Sequence, residues 1–122
     1  MFKVIIGGDI GFKDEELFLR FVKRVLIRKK KIQVVVGDEL GPGILALQYI
    51  HTHYHVGVKH IAREVGMTGD IAQYRQHVRM CIYAEALIVF WDGRDKITRS
   101  LIRSAEVRGL QIRICRYKEK RQ

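Results

Sequence analysis

Residues 84–109 constrain the fold more than any other stretch: A-E-A-L-I-V-F-W-D-G-R-D-K-I-T-R-S-L-I-R-S-A-E-V-R-G. Residues 86–90 form a continuous apolar run, the pattern of a strand covered on both faces. Trp91, Asp92 and Gly93 break that run with turn chemistry. Asp95 is expected to cap a following helix, because its carboxylate can accept from the free N–H groups of the first turn. Leu101, Ile102 and Ala105 then share one helical face, and Gly109 suits the stop. A buried strand that empties through a glycine turn into a helix N-terminus is a common way to hold an anion or a nucleotide.

The same alternation runs through the whole chain. Residues 2–6 are a short apolar strand closed by Gly7-Gly8-Asp9. Asp14-Glu15-Glu16 open a helix whose stripe is Leu17, Phe18, Phe21, Val22 and Val25, with Arg20, Lys23, Arg24 and Arg28 on the wet face. Residues 32–36 are a β-branched strand ended by a glycine-bearing turn over residues 37–43. A helix over residues 44–54 follows, then a short strand over 56–61, a loop over 62–70 and a helix over 71–83. Residues 110–115 form the last strand, and residues 116–122 are expected to fray.

Strands alternating with helices through short connections predict one α/β domain. Its expected form is a three-layer sandwich of about five mainly parallel strands with helices on both faces. Right-handed crossovers and a doubly wound order set the first strand beside the strand at Ala86 in the centre. Ligands in such sheets sit at the carboxyl ends of the strands, at the point where the order reverses. Three glycine-bearing turns meet there: residues 7–13, 37–43 and 91–98.

The length of 122 residues suits a single core, and 48% apolar residues exclude wholesale disorder. No apolar run approaches the ~20 residues that span a bilayer. The opening M-F-K-V-I-I-G-G lacks the long apolar segment of a secretory signal, so a cytoplasmic location is expected. Cys81 and Cys115 are expected as free thiols, and without Cys-x-x-Cys a thiolate metal site is not expected.

The formal charge of +10 is concentrated. Residues 20–31 carry seven basic side chains and no acid, and residues 99–122 carry eight basic side chains against Glu106 and Glu119. This is either the footprint of a nucleic-acid partner or a solvated helix face followed by a basic tail. Near the rim, Asp9, Asp38, Glu39, Asp92 and Asp95 oppose a phosphate backbone, offset in part by Lys13, Arg75, Arg94 and Lys96.

Several turn residues could carry chemistry. Asp9, Asp38, Glu39 and Asp92 suit ribose hydroxyls or a divalent cation, or serve as plain turn residues. Arg75 and Arg79, one helical turn apart, suit a phosphate or a solvated face. Thr98 can donate from the first helical turn to a phosphate or to its own backbone. Trp91 can stack on a base or plug the core rim. His51, His53, His55 and His60 cluster in sequence, with His51 and His55 at i, i+4. No third ligand accompanies them, so a surface role is expected and no metal site is assigned.

Four segments in order carry a resemblance: G-G-D-I-G-F-K-D-E-E-L, V-V-V-G-D-E-L-G-P-G-I-L-A-L-Q-Y, Y-R-Q-H-V-R-M-C-I-Y-A-E-A-L-I-V-F-W-D-G-R-D-K-I-T and R-G-L-Q-I-R-I. They resemble the SLOG superfamily of Rossmann-like domains, above all its small single-domain YspA/YpsA-related group. More distant relatives in that superfamily are the LOG phosphoribohydrolases and the DNA-processing protein DprA. The resemblance covers residues 1–116 as the domain and leaves residues 117–122 as a basic tail.

It implies a nucleotide or nucleotide-derived ligand, with room for Mg2+, held as in a sensor, carrier or sequestering module. The implied site comprises Gly7, Gly8, Asp9, Gly37, Asp38, Glu39, Gly41, Gly43, Arg75, Arg79, Trp91, Asp92, Gly93 and Thr98. Arg75 falls on the arginine of a Y-x-R-N-like helix start. The chain departs from the family pattern at the turn after the second strand, where an arginine is usual. It departs again at Ile97, where glycine usually precedes the threonine. The glutamate that LOG enzymes carry after that threonine is unmatched by Arg99, Ser100 and Leu101, so no catalytic residue is assigned and a hydrolase is the weakest reading. A DprA-like nucleic-acid-binding role through the basic stretches is the alternative. The expected partners are therefore a nucleotide-like small molecule, a weakly held nucleic acid and a second copy in a homodimer, with no membrane.

Overall fold

The computed structural model describes residues 1–37, 41–53 and 56–118. Its order is β1 (Phe2–Gly8), α1 (Glu15–Leu26), β2 (Ile32–Val36), α2 (Pro42–Thr52), β3 (Val56–His60), α3 (Gly69–Tyr83), β4 (Ala86–Trp91), α4 (Lys96–Val107) and β5 (Gln111–Arg116). The five strands form one parallel sheet in the order β3-β2-β1-β4-β5. The chain steps outward from β1 to β3, then α3 carries it back past β1 to β4. The order therefore reverses between β1 and β4, in the centre of the sheet.

Successive side chains of a strand point to opposite faces, and here both faces are covered. Val4, Ile6, Val34, Val36, Ile88 and Phe90 pack with Phe18, Val22 and Leu26 of α1 and with Ala46 and Tyr49 of α2. Ile5, Val35, Leu87 and Val89 pack with Met80 and Cys81 of α3 and with Leu101, Ile102 and Ala105 of α4. This is why residues 86–90 read as unbroken apolar sequence. The edge strands differ: of β3 only Val56 is buried, and of β5 only Cys115.

The cap expected at Asp95 forms, and Asp14 caps α1 in the same way. The Asp14 side chain accepts from the Leu17 amide and that of Asp95 from the Thr98 amide. Helix α2 opens two residues earlier than expected, because Pro42 presets a helical φ at a position whose N–H needs no partner. The C-terminal end also differs from expectation. Arg116 still belongs to β5, paired with Trp91, and Tyr117 is docked rather than frayed. Tyr117 donates its hydroxyl to Asp9, its amide to the Trp91 carbonyl, and meets Phe12 edge-on at 4.9 Å. Among the described residues no helix is long and apolar enough to cross a membrane.

Phe90 is the hub of the α1 side. Its ring lies 4.5 Å from Phe12, 5.3 Å from Phe18 and 5.6 Å from Phe21, and it is wholly buried. Truncating it leaves a cavity that three neighbouring rings cannot close together. Phe90→Ala is expected to cost about 3–5 kcal/mol, read as a lowered urea midpoint with an unchanged slope.

Candidate functional site

The carboxyl ends of β1 and β4 are tied together by a buried carboxylate. Asp9, 5% exposed, follows β1 directly, and its amide donates to the Phe90 carbonyl at 3.0 Å. Its Oδ2 accepts from the Asp92 amide at 2.7 Å and from the Tyr117 hydroxyl at 2.9 Å. Its Oδ1 lies 2.5 Å from Thr98 Oγ1. One side chain thus joins β1, the β4–α4 turn, the first turn of α4 and the residue after β5.

The close approach of β1 to β4 demands glycine at position 8. Its φ is 142°, and a Cβ there would lie 2.2 Å from the Phe90 carbonyl oxygen. Gly41 meets a similar constraint across the rim, where a Cβ would lie 2.3 Å from the carbonyl oxygen of Asp9. The turn before α2 therefore presses backbone to backbone on the turn after β1.

Thr98 sits between two carboxyl groups. Thr98 Oγ1 lies 2.5 Å from Asp9 Oδ1 and 2.8 Å from Asp95 Oδ2, yet a hydroxyl owns one proton. The hydroxyl proton is shared between the two carboxyl groups. Burial raises Asp9 above the ordinary value of 3.8, against the hydrogen bonds from Thr98, the Asp92 amide and Tyr117 that favour its charged form. Thr98 Oγ1 thus lies within donating distance of both Asp9 and Asp95 and ties the two carboxyl groups together. Asp92 is held below its ordinary value, chiefly by hydrogen bonds to its Oδ1 from the amides of Arg94 and Asp95.

A cavity of about 800 Å3 opens beside this knot, between the strand ends and helices α3 and α4. Gly7, Gly8, Gly37 and Gly43 expose backbone along it, with Ile6, Met80 and Leu101 as apolar wall. Its polar lining is His60, Arg63, Gln73, Gln76, His77 and Thr98, and the described lining holds no Asp or Glu. His60 Nε2 meets the Gly37 carbonyl oxygen at 2.7 Å, so the nitrogen donates and the ends of β2 and β3 are joined. Gln76 Nε2 donates to the Ile61 carbonyl at 3.0 Å within the wall.

The residues singled out from sequence divide into three groups. Gly7, Gly8, Gly37, Gly43 and Thr98 line the cavity. Asp9, Asp92 and Gly93 belong to the knot, and Gly41 packs on Asp9. Trp91 donates its indole N–H to the Asp95 carbonyl at 3.0 Å and carries Arg99 and Arg116 over its ring at 5.8 and 5.3 Å. The ring that could stack on a base thus holds two guanidinium groups of its own chain. Arg75 and Arg79 stand outside the lining. Arg75 grips Glu64 through two hydrogen bonds of 2.9 and 3.1 Å, and Arg79 donates to the Ala62 carbonyl at 2.9 Å. Both strap the β3–α3 loop onto α3. Asp38 and Glu39 lie outside the described residues.

Arg63, Gln73 and His77 were not foreseen. Arg63 follows β3, so it falls on the rim that the strand order defines, and this positional signal was present in the sequence. Gln73 and His77 are four residues apart on α3, a spacing that puts them on one face without saying which face turns inward. Of the histidines, His53 stacks on Tyr49 at 4.0 Å and contacts its carbonyl, and His55 lies outside the described residues. Among the described residues no three His, Cys, Asp or Glu side chains converge as a metal site would need. Cys81 is buried, and burial raises its thiol to about 11, which leaves little thiolate at neutral pH.

Comparison with protein-family models and with curated proteins returns no match to this chain.

The sign of the Asp9 effect is testable. A carboxyl raised by folding holds its proton more tightly in the folded than in the unfolded chain. Its contribution is complete below the unfolded value of 3.8 and is lost as pH rises through the folded value. Asn at position 9 keeps an acceptor for the Asp92 amide and Tyr117 and does not titrate. From about pH 4 to about pH 7 the stability of Asp9→Asn, measured by urea unfolding, is expected to gain on that of the wild type. A difference that is flat with pH would exclude a raised Asp9 carboxyl.

Proposed function

We propose that the chain is a SLOG-like module that binds a nucleotide or nucleotide-derived anion in the cavity at the carboxyl ends of its strands. The observation that carries this reading is the lining: four glycines, Arg63 and two histidines, and no acid among the described lining residues, at the reversal of a parallel sheet. Glycine lets phosphate oxygens approach backbone N–H groups, and the start of α4 adds the positive end of its dipole. A volume of about 800 Å3 falls in the ~300–1,000 Å3 range of small-molecule sites. The apolar wall of Ile6, Met80 and Leu101 suits a base or ribose edge.

Binding is favoured over turnover. The described lining supplies no carboxylate to act as general acid or base, and hydrolysis of a glycosidic bond needs such a group in reach. Asp9, the nearest buried acid, is committed to the knot by three hydrogen bonds.

Titration calorimetry with nucleoside mono-, di- and triphosphates and ADP-ribose, each with and without Mg2+, tests the reading. At least one is expected to bind, and Arg63→Ala is expected to weaken it about tenfold or more, the worth of a charge-assisted hydrogen bond. Arg75→Ala, which removes a strap outside the lining, is expected to cost less. Failure of every compound, or binding indifferent to Arg63, would overturn the proposal.

A further inference from the structure

The opposite edge of the sheet carries a second site. Helix α1 ends at Leu26, and residues 27–31 turn back into β2 at the amino ends of the strands. Lys23, Arg24, Arg28, Lys29, Lys30 and Lys31 are all exposed there. From residue 20 to residue 31 no acid interrupts them. The edge is thus strongly basic and lies a full strand length from the cavity described above.

This edge is not merely a solvated cationic face. A smaller cavity of about 240 Å3 opens within it, lined by Lys23, Leu26, Ile27, Lys29, Lys30, Ile32, Tyr49, His53 and Val56. Its floor is apolar and its described rim is lysine and histidine. Tyr49 and His53 stack there at 4.0 Å, and Lys29 lies 4.2 Å over the Phe2 ring nearby. Within residues 20–31 the one aromatic, Phe21, packs on Phe90; the fold brings the basic residues to other rings, from β1 and α2.

Two magnitudes decide the kind of ligand. The cavity falls below the ~300 Å3 at which sites hold a whole small molecule, so it takes part of a ligand whose remainder lies outside. Among the described residues of this basic cluster, Lys23, Lys29 and Lys30 line it, whereas Arg24, Arg28 and Lys31 extend the charge beyond. A compact anion would leave half of these cations unused, and an extended polyanion would meet them all. A base paired within a duplex cannot enter so small a recess without leaving its stack. We propose that the amino edge binds a single-stranded nucleic acid, with phosphates on the basic cluster and one base in the cavity beside Tyr49 and His53. This site does not depend on the ligand proposed for the carboxyl edge.

Fluorescence anisotropy with labelled oligo(dT), oligo(U) and a matched DNA duplex, titrated across salt, tests it. Single strands are expected to bind more tightly than the duplex, with affinity falling steeply as salt rises. Replacing Lys29, Lys30 and Lys31 together by Gln is expected to lower the slope of log K against log salt by about 2, since each single-strand phosphate contact contributes about 0.7. His53→Ala is expected to weaken single strands about fivefold or more through lost base contact while leaving the slope intact. Equal binding of duplex and single strand with no effect of His53→Ala would exclude the base site. Indifference to the three lysines, or anionic phosphatidylserine vesicles bound in place of oligonucleotides, would overturn the proposal altogether. All four substituted side chains lie outside the buried core, and unchanged thermal unfolding would verify that the variants are folded.

Discussion

A buried carboxyl group organises the carboxyl edge of this protein. Burying a carboxylate is costly, and the cost is offset here by three hydrogen bonds donated to it rather than by an opposite charge. Because its partners come from residues 92, 98 and 117, Asp9 fixes where the β4–α4 turn lies relative to β1. Thr98 belongs at once to this knot and to the cavity wall. The shape of the cavity therefore depends on a hydrogen-bond network that itself lies largely behind it.

The acids and the cations of the rim serve different ends. Asp9, Asp92 and Asp95 fold the turn, with their described hydrogen bonds directed to donors of the chain itself. Arg75 and Arg79 fold the β3–α3 loop. What faces the open volume is backbone, imidazole, amide, hydroxyl and the Arg63 guanidinium. An exposed pair such as Arg75 with Glu64 adds about 0–1 kcal/mol to stability, so its consequence is the position of a loop rather than the stability of the fold.

The fold was legible because its signals are local. Apolar runs closed by glycine marked the strands, Asp14 and Asp95 marked two helix starts, and alternation implied the central pairing of β1 with β4. The rim glycines at 7, 8, 37 and 43 followed from that topology. The knot was not legible, because Asp9 and Tyr117 are 108 residues apart and no periodicity links them. Nor could sequence tell that Arg75 would find Glu64 before any phosphate, since both are chemically fit for either partner. The aromatic floor of the basic edge was hidden for the same reason: Phe2, Tyr49 and Lys29 become neighbours only once three elements have packed.

The place of Tyr117 bears on how the chain is made. Synthesis runs from the amino terminus, so β1, β2 and β3 can pair while the other side of β1 has no neighbour. That side stays open until β4 arrives some eighty residues after it. Even then the carboxyl edge is unfinished, because Asp9 lacks its last donor until Tyr117, some twenty-five residues later, has followed β5 into place. Until β4 arrives, the half-built sheet presents an unpaired edge of β1, the kind of edge that invites pairing with another chain.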